Sequence, residues 1–176
     1  MSRFTIATPH EQISKITSNI NALPDQVNRA SIFAINRTAE WLKSSVSREI
    51  SAQKRIKLKI IRDRIKITKA NKKQLFASIA ANMWALKGKD LGNMSQASLG
   101  AKAGKYMFEG TFVATMKSGH QGIFKRKTAK RLPIKELYVP LDNYASKLIR
   151  SLIDQESEAV FRKNFEHQIK RLTGVI

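Results

Sequence analysis

From Asp25 to about Gln53 the chain contains neither Gly nor Pro, while Val27, Ala30, Ala34, Trp41, Leu42, Val46 and Ile50 recur at three- and four-residue steps. That period predicts one long helix, about 40 Å if it is regular at 1.5 Å per residue. Pro24 suits its first turn, and Asp25 places a favourable charge at its amino end. Ile32, Phe33 and Ile35 widen the apolar face beyond one stripe, so part of this helix should touch two surfaces: a sheet and a second helix, or a sheet and another subunit. Arg37 sits inside that apolar stretch. It either snorkels or pairs with Glu40 or a carboxyl-terminal acid, or it makes a fixed inter-subunit contact.

The rest of the chain supplies what such a helix would pack on. Residues 54–69 read as a helix by one period and as strands by the other; a short helix to about Asp63, then a strand leading through Ala70 to Lys73, satisfies both. Gln74 to Trp84 alternates as a strand, with Leu75, Ala77, Ile79, Ala81 and Met83 on one face. Residues 85–105, rich in Gly, Ser, Lys and Ala with few large apolar anchors, read as a long flexible loop. Tyr106 to Glu109 starts another strand. Phe112, Ala114 and Met116 then alternate as the buried face of a strand, Ser118 to Gly122 turns, and an extended segment restarts at Ile123. Tyr144 to Leu172 is helical by pattern, and the acids Asp154, Glu156 and Glu158 predict a break into two helices. Residues 1–23 read as an amino-terminal arm or a short helix at His10 to Asn21. The expected fold is α+β, with a long amino-terminal helix and carboxyl-terminal helices packed on a small, mainly antiparallel β-sheet.

A chain of 176 residues with 42% hydrophobic content suits a single domain, residues 1–176, with one core. The absence of cysteine excludes disulfides, zinc ribbons and thiol nucleophiles. No apolar run approaches the length of a membrane span, and no membrane partner is expected. Met1 to Leu23 lacks a basic start followed by an apolar block, which argues against a signal peptide.

Two ordered motifs stand out. The first is Ala-Ile-Asn36-Arg37-Thr38-Ala inside the long helix. The second runs from Met116 through Ser118-Gly119-His120-x-Gly122, Phe124-x-Arg126, a basic linker, and Arg131-Leu132-Pro133-Ile134 to Glu136-Leu137 and Pro140. In order and spacing, over roughly residues 25 to 172, they resemble the minor tail protein Z family of long-tailed bacteriophages. Val139 departs from that pattern, standing where a glycine is expected before Pro140. The resemblance implies a structural virion protein that completes the head-proximal end of a tail and helps join it to the head with DNA correctly placed. It implies assembly of copies into a ring, a hexamer by analogy with six-fold tail tubes, beside tail terminator, tail tube and head-completion proteins. It places the protein in the virion, at the head-proximal end of the tail, and in the host cytoplasm during assembly. Asn36, Arg37, Thr38, Gly119, His120, Gly122, Arg126, Arg131, Leu132, Pro133 and Ile134 would then be interface residues.

Charge bears on the same question. The formal charge is +20, from 33 Lys and Arg against 13 Asp and Glu. Residues 54–73 hold ten basic residues against Asp63 alone, and residues 117–135 hold seven with no acid. Self-repulsion on this scale calls for a counter-charge from nucleic acid, an anionic membrane or an acidic protein surface, and two patches nearly free of acids favour a polyanion or an acidic protein ring. The candidate contacts are Arg55, Lys57, Lys59, Arg62, Arg64, Lys66, Lys69, Lys72 and Lys73, then Lys125, Lys127 and Lys130. Aromatic residues do not interleave with them and no helix-turn-helix or finger is evident, so DNA contact would be phosphate-directed and insensitive to sequence. A free, sequence-nonspecific nucleic-acid-binding protein is the alternative reading. Catalysis is poorly supplied: His10, His120 and His167 lie in unrelated contexts, Asp63 and Asp90 stand alone, and Gly88-Lys-Asp-Leu-Gly92 lacks phosphate-loop spacing. No enzyme activity, metal or cofactor is expected.

Overall fold

The computed structural model describes residues 2–7, 13–14, 17 and 23–174. It is α+β, as the periodicities predict. Helix α1, Pro24–Gln53, is the long helix, with Pro24 in its first turn. The Gln26 side chain accepts the Leu23 N–H at 2.8 Å, so one otherwise unpaired donor at the helix start is satisfied. The short α2, Leu58–Asp63, follows, then strand β2, Ile65–Thr68, which ends before the predicted Lys73. Strand β3, Phe76–Ala81, lies between β2 and β1, Ser2–Ala7, in an antiparallel sheet of order β1-β3-β2. In register, Ile65 meets Ala81, Ile67 and Phe4 flank Ile79, and Ile6 meets Ala77, so the apolar residues of all three strands share the face that α1 covers. The opposite face carries Arg3, Ala80 and Lys66 in one row.

The last helix, Asp142–Thr173, is α4 by chain order, because the four-residue α3, Gly88–Leu91, precedes it. It is one helix and not the predicted two. Asp154, Glu156 and Glu158 are exposed on it, where carboxylates stay hydrated and nothing in the backbone forces a break. Gly174 ends it in a left-handed conformation. Helices α1 and α4 run antiparallel: Gln26 donates to the Leu172 carbonyl at 3.0 Å, and at the far end Lys54 lies over the Tyr144 ring at 5.0 Å. Between these ties Ala30, Ala34, Ile35, Leu42, Val46 and Ile50 pack with Ala145, Ile149, Phe161, Phe165 and Ile169 in the main cluster of buried residues. Ser31, Thr38 and Ser47 are buried as well. Each hydroxyl donates to the carbonyl four residues earlier, at 2.9, 2.8 and 2.6 Å, so none of the three is stranded.

Residues 85–105 are not a structureless loop. They contain β4, Leu86–Lys87, α3, β5, Met94–Ala97, and β6, Gly100–Ala103. Strand β6 pairs with β5 and with β7, Tyr106–Glu109. The small residues that suggest a loop serve close packing instead. Ala101 and Ala103 are buried, and at Gly100, with φ +153°, a Cβ would lie 2.1 Å from the Phe108 carbonyl oxygen. Strands β8, Phe112–Thr115, β9, Gln121–Arg126, and β10, Ile134–Glu136, form an antiparallel sheet of order β10-β9-β8, and β11, Tyr138–Val139, pairs with β4. The hairpin is the expected one, but Gln121 and Gly122 already belong to β9 and not to the turn. Both faces of β8 are half-buried, where one buried face is predicted. The amino-terminal segment is also more ordered than an arm, because Ser2–Ala7 is a paired strand; of the helix expected at His10 to Asn21 only residues 13, 14 and 17 fall within the described residues.

Candidate interaction surface

The first motif is largely turned inward. The Asn36 amide donates to the Ala70 carbonyl at 3.1 Å and accepts the Ala70 N–H at 2.8 Å, clamping the segment after β2 onto α1. Thr38 is buried and bonded to its own helix. Arg37 is exposed and lies 5.8 Å from the Phe33 ring centroid. Its expected partner Glu40 pairs with Lys69 at 3.8 Å instead.

The second motif builds one face of the β8-β9-β10 sheet. Gly119, at φ +79°, makes the turn, closed by Met116 N–H to His120 carbonyl at 2.7 Å. Because residues two apart share a face, Gly122, Phe124 and Arg126 of β9 lie together with Phe112 of β8 and Ile134 and Glu136 of β10. The His120 Nε2 lies 2.8 Å from Glu136 Oε1, and the Tyr138 hydroxyl donates to Glu136 Oε2 at 2.8 Å. Gly122 makes this possible: a Cβ there would stand 2.7 Å from Glu136 Oε1 and 3.2 Å from the Phe124 ring. Burial raises the cost of ionising Glu136, but the hydrogen bonds from Tyr138 and His120, with the charges of His120 and Lys87, outweigh it and hold its pKa below the ordinary carboxylate value. Phe124 lies tilted against Phe112, with centroids 6.2 Å apart, and meets the His120 ring edge-on, and Arg126 caps Phe112 at 5.6 Å. Phe112, Phe124, Glu136 and Tyr138 are thus part of this face, though sequence reasoning did not select them. The signal was present in the quoted motif, which contains Phe124 and Glu136, and in the strand period that puts Phe112 opposite Phe124.

From Lys125 to Pro133 every residue is exposed, so Lys127, Lys130, Arg131, Leu132 and Pro133 form a projecting arm at the β9–β10 connection. Lys125 stands directly opposite Lys135 in the register. Side chains so placed are about 5 Å apart at Cβ, and like charges there repel. Of the other predicted cations, Arg55, Lys57, Lys59, Arg62, Lys66, Lys72 and Lys73 are exposed around α2 and β2. Arg64 is spent internally, 3.6 Å from Asp90 and donating to the Trp84 carbonyl at 2.9 Å. Asp90 is therefore not isolated; it also accepts the Lys87 N–H at 3.2 Å. The two basic patches belong to different sheets.

Among the described residues no group of three or more His, Cys, Asp or Glu is placed to hold a metal ion, and no helix is long and apolar enough to cross a membrane. The chain is an α+β scaffold in which a largely buried aromatic cluster underlies an exposed basic arm. Residues 13–173 match the family model of the prophage minor tail protein Z (GPZ), and the chain belongs to that family. It is also similar to a protein named tail completion protein from Escherichia phage N15, 26% identical over 141 residues that cover 73% of this chain and 77% of the relative. No solved structure matches.

Proposed function

We propose that this chain is a structural tail-completion protein of a phage virion, acting at the head-proximal end of the tail as a closed ring of copies, six by analogy with tail tubes. Family membership and the name carried by the phage N15 relative support the tail assignment. The observation that carries the surface assignment is the exposed basic arm, with Lys125 held opposite Lys135 and no acid from Lys117 to Lys135. A surface built this way is relieved only by an external anion, either DNA passing the ring or an acidic neighbouring ring. A ring closes by one head-to-tail contact repeated, which needs no symmetry within the subunit. The motif residues His120, Gly122, Arg126, Arg131 and Ile134, gathered on the β8-β9-β10 sheet and its arm, are the proposed contact surface. Electron microscopy of particles assembled without the protein tests this. Tails that fail to finish or to join heads are expected; normal tails, normal joining and normal infectivity would overturn it.

The same lysine pair favours a second reading, sequence-nonspecific binding to nucleic acid. It predicts duplex binding that weakens steeply with salt, and a log K against log salt slope shallower by about 0.9 for each phosphate contact removed by Lys125→Gln or Arg131→Gln. Duplex binding by a protein that stays monomeric and never enters particles would favour this reading over the ring.

A further inference from the structure

Helix α1 has a second stripe that the described residues leave uncovered. Arg29, Ile32, Phe33, Asn36, Arg37 and Glu40 recur at three- and four-residue steps on one side of α1 and line an open groove of about 730 Å³ with the residues after β2 and with Gln168 of α4. The groove has a half-buried apolar floor, Ile32 and Phe33, and a cationic rim, Arg29, Arg37 and Lys72. Arg37 and Lys72 make no ion pair among the described residues, and the Arg29–Asp25 contact is 3.9 Å between exposed groups, which holds neither firmly. The Gln168 Oε1 atom is buried with no hydrogen-bond partner among the described residues.

We infer that this groove binds a short amphipathic acidic segment of a different protein, apolar side chains on Ile32 and Phe33 and carboxylates at Arg37 and Lys72. The partner's chemistry follows from three features. An apolar floor has no use for a phosphate backbone, so duplex DNA does not explain it. The cationic rim at Arg29, Arg37 and Lys72 calls for carboxylates beside the apolar contacts. A second copy of this chain brings another +20, so on net charge it complements the rim less well than an acidic partner does. The inference goes beyond the proposed function and needs neither ring closure nor DNA.

Panning the full-length protein against a random twelve-residue peptide library tests it. Enriched peptides are expected to combine two or more Asp or Glu with two large apolar residues. Their affinity, read by fluorescence anisotropy, is expected to fall at least tenfold in Arg37→Glu and in Phe33→Ala, and to be unchanged in Lys147→Glu, an exposed α4 site with the same charge change. Arg37 is exposed, so its variant reports on the groove even if Phe33→Ala folds poorly. No enrichment, enrichment of acids without apolar residues, or equal loss in Lys147→Glu would overturn the inference. Displacement of the peptides by duplex DNA at the groove, or self-association abolished by Arg37→Glu, would reassign the groove and overturn it too.

Discussion

The two motif stretches put their polar side chains to opposite uses. In Asn36-Arg37-Thr38, two of three side chains are consumed inside the subunit, one clamping Ala70 and one bonded to the Ala34 carbonyl. Between His120 and Ile134 the inward-facing groups end at Phe124, and from Lys125 to Pro133 the chain is fully exposed. The difference teaches that a recurrent pattern has two physical origins. One keeps a helix docked to a sheet, and the other keeps a surface presentable. The first is tested by stability and the second by contact.

The sharpest break between them is expected in the helix pair. Phe165 is fully buried and stacked 5.9 Å from Phe161, so Phe165→Ala should cost about 3–5 kcal/mol in urea unfolding, against about 0.5 kcal/mol or less for Arg131→Ala on the arm. Comparable losses would erase the distinction. Within the first motif, Asn36→Ala removes both bonds to Ala70 and should cost about 1–3 kcal/mol, while exposed Arg37→Ala should cost about 0.5 or less. The reverse order would mean that the motif is not internal. The smallest effect belongs to Glu136. Its pKa is lowered on folding, so its contribution is present above the unfolded carboxylate pKa and is lost as pH falls through the lower folded one. Glu136→Gln should therefore flatten the acid side of the stability–pH curve and cost about 1 kcal/mol at neutral pH. An unchanged acid slope would show that the His120–Glu136–Tyr138 contacts do not hold the sheet.

Much of the frame was legible because its signals are local and redundant. Helix α1 has no Gly or Pro and an unbroken apolar period, and β3 alternates with Ala77, Ile79 and Ala81 on one buried face. Residues 85–105 were misread because a strand held by Ala101, Ala103 and Gly100 buries little side-chain area; its fit is backbone against backbone, which composition does not register. The break expected at Asp154 failed because acidic residues mark a helix start only when the backbone also changes course. Strand β1 was missed since Phe4 and Ile6 are too short a run to declare a period. At the interaction face, the cations were legible as a class, but which are free was not. Arg64 and Lys125 look alike in sequence, and only the fold brings Asp90 to one and Lys135 to the other.

The unbroken course of α4 has a mechanical consequence. At 1.5 Å per residue its 32 residues make a shaft of about 48 Å with no joint along it, lashed to α1 near both ends. Any reshaping of the fold must therefore be absorbed by the short strands and their turns, with the helical pair moving as one lever.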